Sequence, residues 1–310
     1  MTYNRIAVYG HRGWVSSAIF AALAQSGAPI KVLYRSGSDV SDLPKGVTSV
    51  EVDVEDQHAL EAALQDIDIV ISLVGLEGVT RQHGFVKAIP QTEVKLFVPS
   101  ELALRCDDQG LRVPVNKAKF EVEAAAKQAG ISTTIILPGY FAESALNSCL
   151  IGVDVPRNRI VFTGDSERQI LNICTREYVA AAYAAIFAQT PISQLQDTVF
   201  GLSELRVTGE DVANSLEKKH GAPPQIFRHS LEEADRQMQT RLDQGQPLAL
   251  AWYCRRVWGS GQVLNAIGSN IWELEGYQKK SLKDLIEDGK LVAYREASPA
   301  LKAALEGTFY

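Results

Sequence analysis

Metal-binding and thiol side chains are sparse in this chain, and none are paired. Its four cysteines, Cys106, Cys149, Cys174 and Cys254, lie far apart with no CxxC pair. That scatter suits thiols in a reducing compartment and lacks the spacing of a disulfide framework or a zinc site. No apolar run reaches the ~18 residues of a membrane span. The opening MTYNRIAVYG lacks the charged-then-apolar layout of a signal peptide. These absences lead to the expectation of a cytoplasmic protein without membrane contact. Basic residues are not in excess either. The net charge is −6, with 31 Lys and Arg against 37 Asp and Glu, which argues against a nucleic-acid partner. No Ser/His/Asp order marks a nucleophilic triad.

What the chain does have is alternation. Short apolar runs at Ile6–Tyr9, Ile30–Tyr34, Val47–Val54, Ile67–Val74, Val94–Val98 and Ser132–Leu137 read as strands. Segments at Trp14–Gln25, His58–Leu64, Val79–Ile89 and Asn116–Gln128 carry helical spacing between them. The fold class expected is α/β, a Rossmann-like doubly wound parallel sheet. After about residue 150 the rhythm changes. Short strands at Ile160–Phe162 and Gln169–Ile173 precede helices at Thr175–Phe187, Thr208–His220 and Ser230–Leu242. We expect an NADP(H)-binding domain over 1–150 and a smaller α/β substrate-binding region over 151–310, with some segments returning to the core sheet.

In a doubly wound sheet the first strand-to-helix turn holds a pyrophosphate, because glycine lets backbone amides approach it at a helix N-terminus. Here that turn reads GHRGWVSS, with Gly10 and Gly13 present and Ser16 at the third glycine position. An ordinary tight turn is the competing reading. Arg12 adds either a cation beside the phosphates or a solvated loop side chain. At the end of the second strand, KVLYRSGSD offers Arg35 and no acid before Asp39. A guanidinium forks onto a 2′-phosphate, whereas an acid would repel it, so NADP(H) is expected over NAD(H). Asp53 reads as a strand-end cap. Ser72, Val74 and Gly75 close IDIVISLVG, either under a cofactor or as a plain strand exit.

Taken together, VYGHRGWVSSAI, GVTSVEVDVEDQHALEAALQDIDIVISLVG, LFVPSEL and NKAKFEVEAAAKQAGISTTIILPGYF resemble the isoflavone-reductase-like and NmrA-like group of atypical short-chain dehydrogenases. The resemblance implies NADPH held across Gly10, Arg12, Gly13, Trp14 and Val15, with Arg35 at its adenosine end and a cleft roofed by the C-terminal region. It implies a single lysine at the start of the helix after the PSE loop, and Lys117 takes that place. The short-chain dehydrogenase tyrosine four residues earlier is replaced by Val113, which leaves Lys117 as the only obvious proton handler and a candidate to hold the nicotinamide ribose hydroxyls; a surface lysine on an amphipathic helix is the competing reading. Lys119, two residues on, should face elsewhere on a helix. The resemblance also places Pro138, Tyr140 and Phe141 by the nicotinamide. Tyr140 either donates a hydrogen bond to substrate or packs in the core. His83, Glu101, Trp252, Tyr253, Trp258 and Trp272 read as structural. Residues 297–310 look additional.

The expected function is an NADPH-dependent reductase of a small aromatic or conjugated molecule: a ketone, enone, imine or quinone-methide-like compound. Lys117 would assist the developing oxyanion. The alternatives are an NmrA-like NADP(H) sensor acting through a protein partner, or a non-redox reaction in a reductase cleft.

Overall fold

The apolar run IAVY forms β1 (Ile6–Tyr9), buried at every residue. The computed structural model describes residues 3–310. From β1 the chain continues through α1 (Ser16–Gln25), β2 (Ile30–Tyr34), β3 (Thr48–Glu51), α2 (Gln57–Ala63), β4 (Ile69–Ser72), α3 (His83–Ala88), β5 (Leu96–Val98), α4 (Pro114–Gln128) and β6 (Thr134–Leu137). It then forms β7 (Tyr140–Phe141), α5 (Ala142–Asn147), β8 (Val153–Asp154), β9 (Arg159–Thr163), β10 (Leu171–Cys174), α6 (Arg176–Gln189) and β11 (Thr198–Gly201). The last elements are β12 (Leu205–Val207), α7 (Gly209–His220), β13 (Gln225–His229), α8 (Leu231–Asp243), α9 (Ala249–Gly259), α10 (Val263–Ile267) and α11 (Pro299–Gly307).

Two compact units emerge. The first takes residues 1–102, 114–136 and 179–200. Its sheet runs β3-β2-β1-β4-β5, and every pairing is parallel. The expected α/β class is therefore the observed one. Ile6 lies opposite both Ile30 and Ile69, so β1 is central, and its unbroken apolar sequence follows from cover on both faces. β3 is the edge and is mostly exposed. A parallel bridge from Phe97 to Thr133 carries the sheet on towards β6, which pairs with β11. Between β4 and α3 the expected helix is split, with a 3₁₀ stretch at Leu76–Gln82.

The second unit takes residues 103–113, 137–178 and 201–310. A sheet of order β12-β10-β7 and another of order β13-β9-β8 form its strands. α7 opens on a capping box between Thr208 and Asp211, and Ser230 caps α8, as their sequences suggest.

These units do not follow a single cut at residue 150. After β6 the chain starts β7, which pairs with β10 and not with the first sheet. Residues 179–200 return to the first unit. The second unit is also not the smaller one, since it takes just over half of the chain. Pairing between distant segments sets these boundaries, and local periodicity carries no record of it.

Candidate functional site

Gly10 leaves β1 with φ +87°. A side chain there would put its Cβ 3.0 Å from the Leu73 carbonyl carbon and the Val74 nitrogen. Glycine is thus required twice, by the left-handed backbone and by the close approach to the end of β4. Arg12 and Gly13 are exposed, while Trp14 and Val15 are half-buried. α1 begins at Ser16, and no side chain caps its start. The Ser17 and Ala18 amides already donate to the Gly13 and Val15 carbonyls at 2.9 and 3.2 Å, so what the start of α1 offers an anion is the positive end of its dipole. Ser16 is buried, and its hydroxyl donates to the Leu73 carbonyl at 2.7 Å. His11 is buried with its ring edge-on to Phe20 at 5.3 Å. Burial, then the Arg12 charge, lowers its pKa, so it sits in the turn as a neutral imidazole.

The second rim of the site is the end of β2. Arg35 is exposed there, and its guanidinium makes no ion pair among the described residues. Arg12 reaches the same loop, donating to the Asp39 carbonyl at 3.2 Å. The Asp39 carboxylate is taken up by the Ser41 amide and hydroxyl, which hold it below its ordinary pKa. Asp53 accepts from the Glu55 amide at 3.1 Å, a strand-end cap.

At the end of β4, Val74 is half-buried and Gly75 is exposed with open space around its Cα. The Ser100 hydroxyl donates to the Val74 carbonyl at 2.7 Å, and the Ser100 amide donates to Gln82 Oε1 at 2.8 Å. The ends of β4 and β5 are thereby tied together. Ser72, buried beside them, has a hydroxyl without a partner among the described residues.

Of the three lysines of α4, Lys117 and Lys119 face differently, as helical spacing predicts. Lys117 is 66% exposed and pairs loosely with Glu121 at 3.8 Å. Lys119 is 14% exposed, with its Nζ 3.5 Å from Glu101 Oε1 and hydrogen-bonded to the Glu101 carbonyl. Two helical residues differ by about 200° around the axis, so only one of the pair can face the sheet. The signal was in the helix itself. Asn116, Val122 and Ala126 are its buried residues, and Lys119 lies on their stripe at i−3, i+3 and i+7.

In the second unit, the Pro138 carbonyl accepts from Asn172 Nδ2 at 3.1 Å. Gly139 has φ +78°, and a Cβ there would meet the Asn172 carbonyl oxygen at 2.7 Å. Phe141 is half-buried at the end of β7. Tyr140 is buried, and its hydroxyl donates to the Cys254 carbonyl at 2.9 Å. Burial pushes the phenol pKa well up. Of its two expected roles, core packing is the one seen. Trp252, Tyr253 and Trp258 are also buried. Two carboxylates escaped the sequence reading. Glu143 is 2% exposed, with Oε1 accepting from the Arg176 amide at 3.0 Å. Glu204 accepts from the amide and hydroxyl of Thr175 and from the Lys280 amide. The only sequence signal for Glu143 is an acid inside the apolar run GYFAESAL.

Among the described residues, no group of His, Cys, Asp and Glu could hold a metal, and no helix is long and apolar enough to cross a membrane.

Comparison with known proteins follows this geometry. The NmrA-like family pattern matches residues 2–244. An isoflavone reductase homolog of Zea mays, IRL, is 30% identical over 204 residues, covering 61% of this chain and 65% of that protein. Eugenol synthase 1 of Petunia hybrida is 29% identical over 178 residues, covering 52% and 58%. The matched stretch thus spans less than two thirds of these relatives. Among solved structures, the binary complex of leucoanthocyanidin reductase with NADPH from Vitis vinifera superposes with TM-score 0.75 at 18% identity. That match covers 92% of this chain and 99% of the other, a likeness of fold.

Proposed function

The chain belongs to the NmrA-like family, and on that premise we propose that it is an NADPH-dependent reductase of a small oxygenated aromatic or conjugated molecule. The observation that carries this reading is an α1 without a side-chain cap behind Gly10, together with an exposed Arg35 that makes no ion pair among the described residues. The residues fit the cofactor. Amides from Gly10 to Val15 would hold the pyrophosphate, with Arg12 beside it, and Arg35 would fork onto the 2′-phosphate. The open surface at Val74 and Gly75 suits a flat group at the C-terminal ends of the strands. When bound, NADPH would supply the hydride.

The resemblance pointed to Lys117 as proton handler. We keep that role for Lys117, whose side chain at the start of α4 is exposed and pairs only loosely with Glu121 at 3.8 Å, whereas Lys119 is taken up by Glu101. An ammonium at the start of α4 would stabilise an oxyanion and pass it a proton. The substrate class draws support from the relatives: isoflavone, eugenol and leucoanthocyanidin, the molecules in their names, are all oxygenated aromatics.

The test is NADPH binding against NADH, followed by loss of reduced-nicotinamide absorbance over aryl ketones, enones and quinones. NADPH preference that Arg35→Ala removes, with turnover of at least one such compound, is the expected result. Equal affinity for both cofactors would overturn the NADP assignment. Comparable affinity for NADPH and NADP+ with no turnover would favour the sensor.

A further inference from the structure

We propose that the first unit carries a second ligand site, apart from the dinucleotide turn, for a small phosphate monoester with a hydrogen-bond donor at its other end. The place is a groove of about 270 Å³ between the start of α2 and α3, whose walls include Val54, Glu55, Thr80, Arg81, His83 and Lys87. That is nearly twice the ~150 Å³ that admits a benzene ring. None of Gly10 to Val15, Arg35, Val74 or Gly75 lines it, so the groove lies outside the cofactor surface and the inference goes beyond the reductase reading.

The chain builds this groove by joining two kinds of helix. The 3₁₀ stretch Leu76–Gln82 runs into α3 at His83 without a break. Side chains three apart eclipse in a 3₁₀ turn, and side chains four apart share a face of an α-helix. Thr80, His83 and Lys87 therefore stand in one row, with Arg81 beside it. Opposite is the segment that leaves β3. A Cβ on Gly84 would collide with the Val54 carbonyl oxygen, so α3 rests directly on the Val54 backbone, an approach only glycine permits.

The row is cationic and uncompensated. Arg81 and Lys87 are exposed and His83 is half-buried. Their side chains make no ion pair or hydrogen bond among the described residues. The facing segment VEVDVED is acidic, yet two of its carboxylates are turned onto backbone. Asp53 accepts from the Glu55 amide and Asp56 from the Ala59 amide, each at 3.1 Å. Among the described residues, Glu55 is the one acid that lines the groove, and it pairs with none of the three bases.

This asymmetry selects the ligand. A guanidinium forks onto two phosphate oxygens, an ammonium takes a third, and an imidazole N–H adds a donor. A bare anion would be repelled by Glu55. A ligand that carries a hydroxyl or ammonium at its other end turns that repulsion into a hydrogen bond, and its phosphate stays with Arg81 and Lys87.

Isothermal titration calorimetry with O-phosphoethanolamine should show saturable binding with a Kd of about 1 mM or below. Inorganic phosphate should bind more weakly. Arg81→Gln and Lys87→Gln should each weaken O-phosphoethanolamine by about fivefold or more, and the double variant should abolish its binding. Exposed side chains such as these are replaced at little cost to the fold, which the urea midpoint checks. Glu55→Gln separates the two ends of the ligand: it should weaken O-phosphoethanolamine severalfold and tighten inorganic phosphate. Saturating NADPH should leave the O-phosphoethanolamine Kd within about twofold, because the two sites are separate. Arg35→Ala should bind O-phosphoethanolamine as the wild type does, which tests the separation whatever becomes of the cofactor reading. No saturable binding, wild-type affinity in both Arg81→Gln and Lys87→Gln, or displacement by NADPH would each overturn the proposal. So would a Glu55→Gln change of the same sign for both probes.

Discussion

The Ser16 hydroxyl donates to the Leu73 carbonyl at 2.7 Å, binding the first turn of α1 to the end of β4. In a dinucleotide-binding turn the third glycine exists to let the helix pack closely on the sheet. Here a serine fills that position and makes the contact by hydrogen bond. Ser16→Ala should cost about 1 kcal/mol, because the buried carbonyl loses a partner. Urea denaturation would show it as a lower midpoint at unchanged slope. A midpoint equal to wild type would mean that the bond contributes nothing.

That bond shows how far the sequence could be read. The glycine turn, the alternation of strands and helices, and Arg35 at the end of β2 were all legible, since each depends on residues near one another in the chain. The serine's role was not, because Leu73 lies 57 residues away. That Lys119, and not Lys117, lies on the buried stripe of α4 was legible in the helical spacing. The compact units were not, because β7 pairs with β10 and β6 with β11 across long separations.

Glu143 gives a pH dependence with a definite sign. Burial raises its pKa above the ordinary 4.5, and the Glu204 charge adds to this. The Arg176 amide opposes it. One carboxyl oxygen has no partner among the described residues. Folding therefore favours the protonated acid. Its contribution is fully present below the unfolded value and is lost as pH rises through the folded value. Glu143→Gln keeps an acceptor for Arg176 and cannot ionise. Melting temperatures across pH 4.5 to about 8 should show the variant gaining on wild type as pH rises. Parallel curves would contradict this.

Tyr140 separates a structural phenol from a catalytic one. Its hydroxyl is spent on the Cys254 carbonyl, so Tyr140→Phe should cost about 1 kcal/mol of stability. NADPH binding and turnover should remain at wild-type levels. A collapse of kcat at unchanged stability would show instead that the hydroxyl serves the substrate.

The last residues, which looked additional in the sequence, are tied into the second unit by one buried arginine. Arg255 donates from Nε to the Leu150 carbonyl at 3.2 Å, and from Nη2 to the Cys149 carbonyl at 2.8 Å. It also donates from Nη1 to the Thr308 carbonyl at 3.1 Å and from Nη2 to the Thr308 hydroxyl at 2.6 Å. Phe309 is fully buried beside it, with the Arg159 guanidinium 4.2 Å from its ring centre. Burial disfavours the charge on Arg255 and pulls its pKa down to about 10, so its fork of carbonyl acceptors must offset that cost. Arg255→Met would strand those carbonyls and should cost about 3 kcal/mol. Arg255→Lys cannot reproduce the planar fork and should fall between. Should Arg255→Met fail to fold, Thr308→Val isolates one bond and should cost about 1 kcal/mol by urea denaturation. Wild-type stability in Thr308→Val and Arg255→Lys together would mean that the arginine does not hold this segment.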